Sequence, residues 1–196
     1  MARRSEIPDP DGLYESVTRP GTSPTRVRQG ILRLGRILAD HCRGTVPADA
    51  AVLGVVILRG GLLLYPGFAE AFPEMDFCLL AMERDHEGRA QCRYQTRTPR
   101  REHDTAILID CVAATGGTLL AARRVLAAER RIPAFQAATL CSSKLATAAL
   151  LDEGFDVLGF RLDEGLDGDI VTPDLGELDA GDLVGGVPAG WGSAAG

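Results

Sequence analysis

Apolar residues in this chain fall into short unbroken runs separated by stretches of helical period. Val52–Leu58 (VLGVVIL) is one such run, ending in Arg59-Gly60-Gly61, and Ala106–Ile109 (AILI) is another, while residues 76–82, 134–140 and 155–160 also read as strands. Runs of that length predict strands, and their continuous apolarity predicts burial on both faces. Between them the period changes. Ser23 followed by Pro24 is a helix start, a capping hydroxyl and then proline at the first helical position. Val27, Ile31, Leu34 and Leu38 then share one face, with Arg26, Arg33 and Arg36 on others. Residues 62–71, 119–131 and 143–152 predict further helices. Strand alternating with helix predicts an α/β fold, a mainly parallel sheet flanked by helices. Ligands of such sheets bind at the carboxyl ends of the strands, where Arg59, Arg84 and Asp110 all fall.

Other segments lack a period. Residues 1–22 carry Pro8, Pro10, Pro20 and Gly21 and read as an irregular N-terminal arm, with the domain at 23–184 and a flexible tail at 185–196. Residues 83–104 form a long, charged, hydrophobe-poor stretch between two strands, a length that marks a functional lid or a partly disordered loop. Beyond Arg161 the chain is rich in Gly and Asp and reads as irregular. No internal repeat is visible.

Composition changes the picture in a few places. With 196 residues, 45% of them hydrophobic and 24% charged, the chain suits one globular domain with a real core. No apolar run approaches a membrane span, and MARRSEIPDPDG lacks the apolar stretch of a secretory signal, so the expected setting is cytoplasmic. A net charge of −6 argues against a general nucleic-acid binder. Arginine is nonetheless concentrated at Arg84, Arg89, Arg93, Arg97, Arg100 and Arg101, which fits either an anionic ligand or a solvated basic loop. Cys42, Cys78, Cys92, Cys111 and Cys141 are widely spaced and form no C-x-x-C pair, so neither a protein-held metal nor a disulfide framework is expected. Cys111, beside Asp110, reads either as a reactive thiol or, the favoured reading, as a small buried filler. His41, His86 and His103 have no ligand-type spacing and read as surface or loop residues.

The densest chemistry lies in residues 106–118, AILIDCVAATGGT. An apolar strand ends in Asp110, and the small-residue loop Ala113-Ala114-Thr115-Gly116-Gly117-Thr118 leads into a helix. Glycines let backbone N–H groups approach phosphate oxygens, threonine hydroxyls add donors, and the helix dipole favours negative charge. Asp110 would repel a phosphate, so it must hold something beside it, such as sugar hydroxyls or a metal. A ligand carrying both a phosphate and a diol satisfies the whole set.

Strand, acid and ATGGT together resemble the 5-phosphoribosyl-1-pyrophosphate (PRPP) signature of type I phosphoribosyltransferases. Most of that class have two adjacent acids; here the second position is Cys111, and a single acid followed by x-x-x-ATGG resembles the uracil phosphoribosyltransferase branch. VVILRGGLLLYPG is similar to that family's P-I-L-R-A-G-L, AMERD to its G-M-Y-R, and RYQTRTP to its Y-F-Q-K-L-P. LDEGLDGDIVTPDLGELDAGD resembles its uracil loop, I-D-x-G-L-N-E-H-G-Y-I-x-P-G-L-G-D-A-G-D.

The resemblance implies a type I phosphoribosyltransferase fold with a C-terminal base-binding hood, and a reaction in which pyrophosphate leaves ribose C1 as a heterocycle nitrogen bonds to it. It implies that Arg59 and the backbone of Gly60 bind pyrophosphate, in a loop that often carries a non-proline cis peptide, with Arg84 a second contact. Thr115, Gly116, Gly117 and Thr118, with Ala113 and Ala114, would hold the 5-phosphate, and Asp110 the ribose hydroxyls. Ile170, Val171, Asp179 and Ala180 would meet the base. Mg²⁺ bound with the pyrophosphate and a homodimer are implied as well. The chain departs from the pattern in its base loop. Asp169 replaces the covering tyrosine, one residue is inserted near Thr172, and two more near Glu177-Leu178. The family's dimer-forming β-arm is replaced by HCRGTVPADA. Uracil or a related small heterocycle is the expected acceptor. The rival readings are a PRPP- or nucleotide-sensing regulator of the same fold and an inactive partner subunit.

Overall fold

The structure is a computed structural model that describes residues 2–19, 21–87, 89–97, 101–167 and 170–172. Its centre is the predicted parallel sheet. β2 (Val52–Leu58) pairs in parallel with β3 (Asp76–Arg84) on one side and β5 (Thr105–Ile109) on the other. β7 (Ala134–Ser143) extends the sheet beyond β5, and β8 (Phe155–Asp167) lies beyond β7. The short strands β1 (Arg4–Glu6) and β4 (Ala90–Gln95) form the edges, giving the order β1-β8-β7-β5-β2-β3-β4. β6 (Val112–Ala113) adds to β7, and β9 (Ile170–Thr172) pairs antiparallel with β8.

Period-two alternation divides the strands' apolar residues between two layers. Val52, Val56, Ile107 and Ile109 face α2 (Pro24–Thr45) and α3 (Tyr65–Ala71). Leu53, Val55, Ala106 and Leu108 face α4 (Gly117–Glu129) and α5 (Lys144–Asp152). On α2, Ser23 accepts from Arg26 N as the expected cap, and Ile31, Leu34 and Leu38 are fully buried. Each such side chain stabilises the fold by about 1.5–3 kcal/mol. Gly35 and Gly67 let α2 and α3 cross in close contact, since a Cβ on Gly67 would lie 2.5 Å from the Gly35 carbonyl carbon.

The structure corrects the sequence reading at four places. Residues 1–22 are not an irregular arm throughout: β1 runs parallel to β8, and α1 (Leu13–Thr18) buries Tyr14 and Val17. β1 is Arg-Ser-Glu, so its pairing left no apolar trace. The stretch 83–104 is not a loop from end to end, because β4 forms a hairpin with β3 whose turn is closed by the Asp85 carboxylate, 2.9 Å from both Glu87 N and Arg89 N. β4 is an edge strand with only alternate residues partly covered, too weak a pattern to register. Past Arg161, β8 continues as a polar ribbon to Asp167 and pairs antiparallel with β9. His103 is buried at the amino end of β5, its Nε2 2.9 Å from Asp76 Oδ2, rather than on the surface. The tail at 185–196 lies outside the described residues.

Candidate active site at the carboxyl ends of the strands

The strand order reverses direction between β2 and β5. The chain passes from β2 outward to β3 and β4, then returns to β5 on the other side of β2 and proceeds to β7 and β8. The crevice at that reversal is where an open parallel sheet binds its ligand. Arg59 follows β2 immediately, Asp110 follows β5, and Arg84 ends β3, so all three predicted charges come to one edge of the sheet.

Close backbone contact fixes the two central loops against each other. Leu58-Arg59 is a cis peptide, and a 3-10 turn follows over Gly60–Leu63. A Cβ on Gly61 would lie 2.2 Å from the Ile109 carbonyl oxygen, so only glycine lets the β2 loop approach the end of β5 this closely. Cys111, fully buried as expected, adds a second tie through its Sγ, 3.2 Å from Gly60 O. On its other side this segment is held by β7, where Asp110 N donates to Ala138 O at 3.1 Å and Leu140 N to Cys111 O at 2.9 Å. Asp110 Oδ1 accepts from Cys111 N at 2.8 Å, which orients the carboxylate at the strand end.

The loop 113–118 then opens α4 as predicted, with the helix beginning at Gly117. Gly116 caps it in the left-handed conformation (φ 74°), which glycine adopts without steric cost. Thr115 Oγ1 accepts from Gly117 N at 3.4 Å, and the open amino end of a 13-residue helix points its N–H groups along this loop. Arg59 and Arg84 are exposed, while Asp110, Thr115, Gly117 and Thr118 are half-buried, the exposure suited to groups that meet a ligand.

The basic cluster proves heterogeneous. Arg89 pairs with Asp85 and Glu87, Arg93 with Glu83 at 3.1 Å, and Arg101 with Asp76. These arginines pair within the β3–β4 hairpin or at the amino end of β3, whereas Arg84 is the last residue of β3 and Arg97 follows β4. Arg100 lies outside the described residues. Of the predicted base contacts, the backbones of Ile170 and Val171 are set in β9 opposite Asp167 and Leu166, whereas Asp179 and Ala180 lie outside the described residues.

The sequence reading missed one contributor, the end of β7. Ser143 caps α5, accepting from Ala146 N at 3.0 Å, and its hydroxyl also donates to Ala114 O of the glycine loop. In sequence Ser143 is simply the first residue of the predicted helix 143–152; its bond to Ala114 O depends on β7 lying beside β5. Two cavities lie elsewhere. One of about 550 Å³ sits at the amino ends of β2 and β3 near Ala51, Met75 and Arg101, and one of about 600 Å³ lies between α1 and α2. Neither contains the charged groups of the crevice. Among the described residues no helix is long and apolar enough to cross a membrane.

Comparison with known proteins agrees with this geometry. The model of the uracil phosphoribosyltransferase family matches residues 34–183. The uracil phosphoribosyltransferase of Methanothermobacter thermautotrophicus is 26% identical over 86% of this chain and 87% of its own length. The Schizosaccharomyces pombe protein urg2, assigned to the uracil phosphoribosyltransferases by name, is 27% identical over 48% of this chain, a match that spans about half (46%) of that relative. Among solved structures, the AQ2163 protein of Aquifex aeolicus superposes with a TM-score of 0.79 at 19% identity, covering 92% of this chain and 97% of the other. Orotate phosphoribosyltransferase of Mycobacterium tuberculosis in complex with PRPP shares the fold at a TM-score of 0.54 and 14% identity, over 78% of this chain and 94% of its own. Parallel sheet, glycine loop after β5 and family match lead to one assignment: the chain belongs to the uracil phosphoribosyltransferase family, with the fold of the type I phosphoribosyltransferases.

Proposed function

We propose that this protein transfers the 5-phosphoribosyl group of PRPP to a ring nitrogen of uracil or a related small heterocyclic base. The observation that carries the reading is that Arg59 and Asp110 directly follow the carboxyl ends of the neighbouring strands β2 and β5 at the reversal, with the glycine loop next along the chain. The C1–oxygen bond to pyrophosphate breaks, the nitrogen–C1 bond forms, and the nitrogen's proton is released. Negative charge grows on the departing pyrophosphate, where the guanidiniums of Arg59 and Arg84 stabilise it; losing one such partner costs about 10²–10³ in rate. Asp110 accepts hydrogen bonds from the ribose hydroxyls and sets its charge beside the cationic sugar. Neutral N–H and hydroxyl donors of residues 113–118 take the 5-phosphate.

The donor set suits a magnesium ion carried by the substrate. Among the described residues no cluster of His, Cys, Asp and Glu could hold a metal by itself, and Asp110 is the single carboxylate of the predicted set at the strand ends. Mg²⁺ commonly takes one or two carboxylates and fills its octahedron with substrate phosphates and water. When bound it neutralises pyrophosphate charge. The residues proposed to meet the base are Ile170 and Val171, whose backbones lie in β9, and Asp179 and Ala180, which fall outside the described residues. A cytoplasmic homodimer is part of the proposal.

The test is pyrophosphate release from PRPP and Mg²⁺ with uracil set beside cytosine, hypoxanthine and imidazole-type bases. Release dependent on one of these bases supports the transferase reading, and unchanged PRPP across the panel refutes it. Asp110→Asn is expected to reduce turnover far more than PRPP affinity; a near wild-type rate would remove Asp110 from the mechanism.

A further inference from the structure

A dianionic sugar phosphate held only by residues 113–118 would meet neutral donors alone, and the surrounding elements hold few cations to complete its site. On α4, Arg123 is engaged with Glu153 and lies over the rings of Phe135 and Phe155, 5.1 Å and 5.5 Å from their centroids. Arg124 is two helical turns away from Gly117. On β8, Arg161 pairs with Glu15 and covers Tyr14. One basic side chain is left on the elements packed against the loop: Lys144, at the first position of α5.

Several observations set Lys144 apart. It is the only lysine among 21 lysine and arginine residues in the chain. It is exposed, and it makes no ion pair among the described residues. A cation at the amino end of a helix opposes the helix dipole, so its position there works against stability. The backbone beneath it is rigid: Ser142 Oγ and Thr147 Oγ1 are 2.7 Å apart, Thr147 donates to Ser143 O at 2.9 Å, and these side chains are buried. The same turn touches the glycine loop twice. Ser143 Oγ donates to Ala114 O, and a Cβ on Gly116 would sit 3.4 Å from Ala146 O. Lys144 directly follows Ser143, the residue bonded to Ala114 O, and its flexible four-carbon stem carries a compact point charge within reach of the loop.

We propose that Lys144 is the cationic contact of the sugar 5-phosphate, closing an otherwise neutral phosphate loop. This rests on the reading of the crevice as a phosphoribosyl site and adds to it a residue outside residues 113–118. The two helix ends, α4 and α5, converge on the same anion, one through N–H groups and the other through the ammonium.

Because there is a single lysine, protein labelled with ¹³Cε-lysine and ¹⁵N-glycine gives one lysine side-chain signal, recorded beside the amides of Gly116 and Gly117. Ribose 5-phosphate is titrated in, with ribose and inorganic pyrophosphate as controls. The expected result is that ribose 5-phosphate shifts the Lys144 signal and both amides with one dissociation constant, and that ribose shifts none of them. Lys144→Ala should weaken ribose 5-phosphate binding roughly tenfold to a hundredfold while pyrophosphate binding stays within about twofold. If the amides move and the lysine signal does not, the Lys144 assignment is overturned while the phosphoribosyl site stands. If Lys144→Ala changes only the KM of the acceptor base, Lys144 reads the base and the assignment again fails. If neither amides nor lysine respond, the site reading fails and takes the proposal with it.

Discussion

Gly61→Ala tests the contact on which the site geometry depends. The new Cβ would lie 2.2 Å from the Ile109 carbonyl oxygen and 3.1 Å from its carbon. Relief to ordinary van der Waals separation requires a shift of about 1 Å. Ile109 cannot supply it, because it is paired with Val56 of β2 on one side and Ala138 of β7 on the other. The displacement therefore falls on residues 59–61 and carries Arg59 away from its proposed place at the pyrophosphate. Misplacement by about 1 Å costs on the order of 10² in rate, about 2.7 kcal/mol at the transition state. Overpacking should also lower stability by about 1–3 kcal/mol. Steady-state pyrophosphate release with PRPP varied measures the first effect and thermal unfolding the second. Gly67→Ala is the control: its Cβ would come 2.5 Å from the Gly35 carbonyl carbon, a comparable clash between α2 and α3. It should lower the Tm and leave kcat/KM of the folded protein within about threefold. Gly61→Ala with wild-type Tm and kcat/KM would refute the contact and the placement of Arg59 built on it.

Other perturbations probe different links. Cys111→Asp would set a second acid beside Asp110, but it would put a carboxylate against Gly60 O in place of a thiol 3.2 Å away, in a fully buried position. Loss of activity with destabilisation of about 3 kcal/mol or more is expected by calorimetry, and a gain in activity would contradict the tie. At the amino end of β3, burial of Asp76 disfavours its charge, yet the hydrogen bonds from His103 and Arg101 prevail and hold the carboxyl below its usual range. A depressed carboxyl pKa stabilises the fold above the unfolded value, about 3.9, and that stability is lost as pH falls through the lower folded value. Asp76→Asn should flatten the stability loss below about pH 4 and cost about 1 kcal/mol at neutral pH, read by urea unfolding across pH; an unchanged pH slope would contradict it.

Most of the central sheet was legible because β2 and β5 are buried on both faces: VLGVVIL and AILI are short, rich in Val and Ile and followed by polar residues, which favours covered strands over helices. The glycine loop was legible for a related reason, since Thr-Gly-Gly after a strand serves a close approach to backbone. What escaped detection depends on neighbours distant in sequence. β1 is polar and pairs with residues some 150 positions away, β4 is an edge, and the outer half of β8 is a ribbon with Leu162 its buried apolar residue. His103 looked like a loop histidine because nothing local reveals Asp76 beside it. Lys144 was hidden in the same way, as its significance comes from β7 lying next to β5.

The central claim is that the crevice between the ends of β2 and β5 is the PRPP site. Crystals of the protein with PRPP and Mg²⁺ test it most directly. The account requires the 5-phosphate on the backbone N–H groups of residues 115–118, the ribose diol at Asp110 and the pyrophosphate at Arg59. PRPP seated instead at the amino ends of β2 and β3, or between α1 and α2, would contradict it.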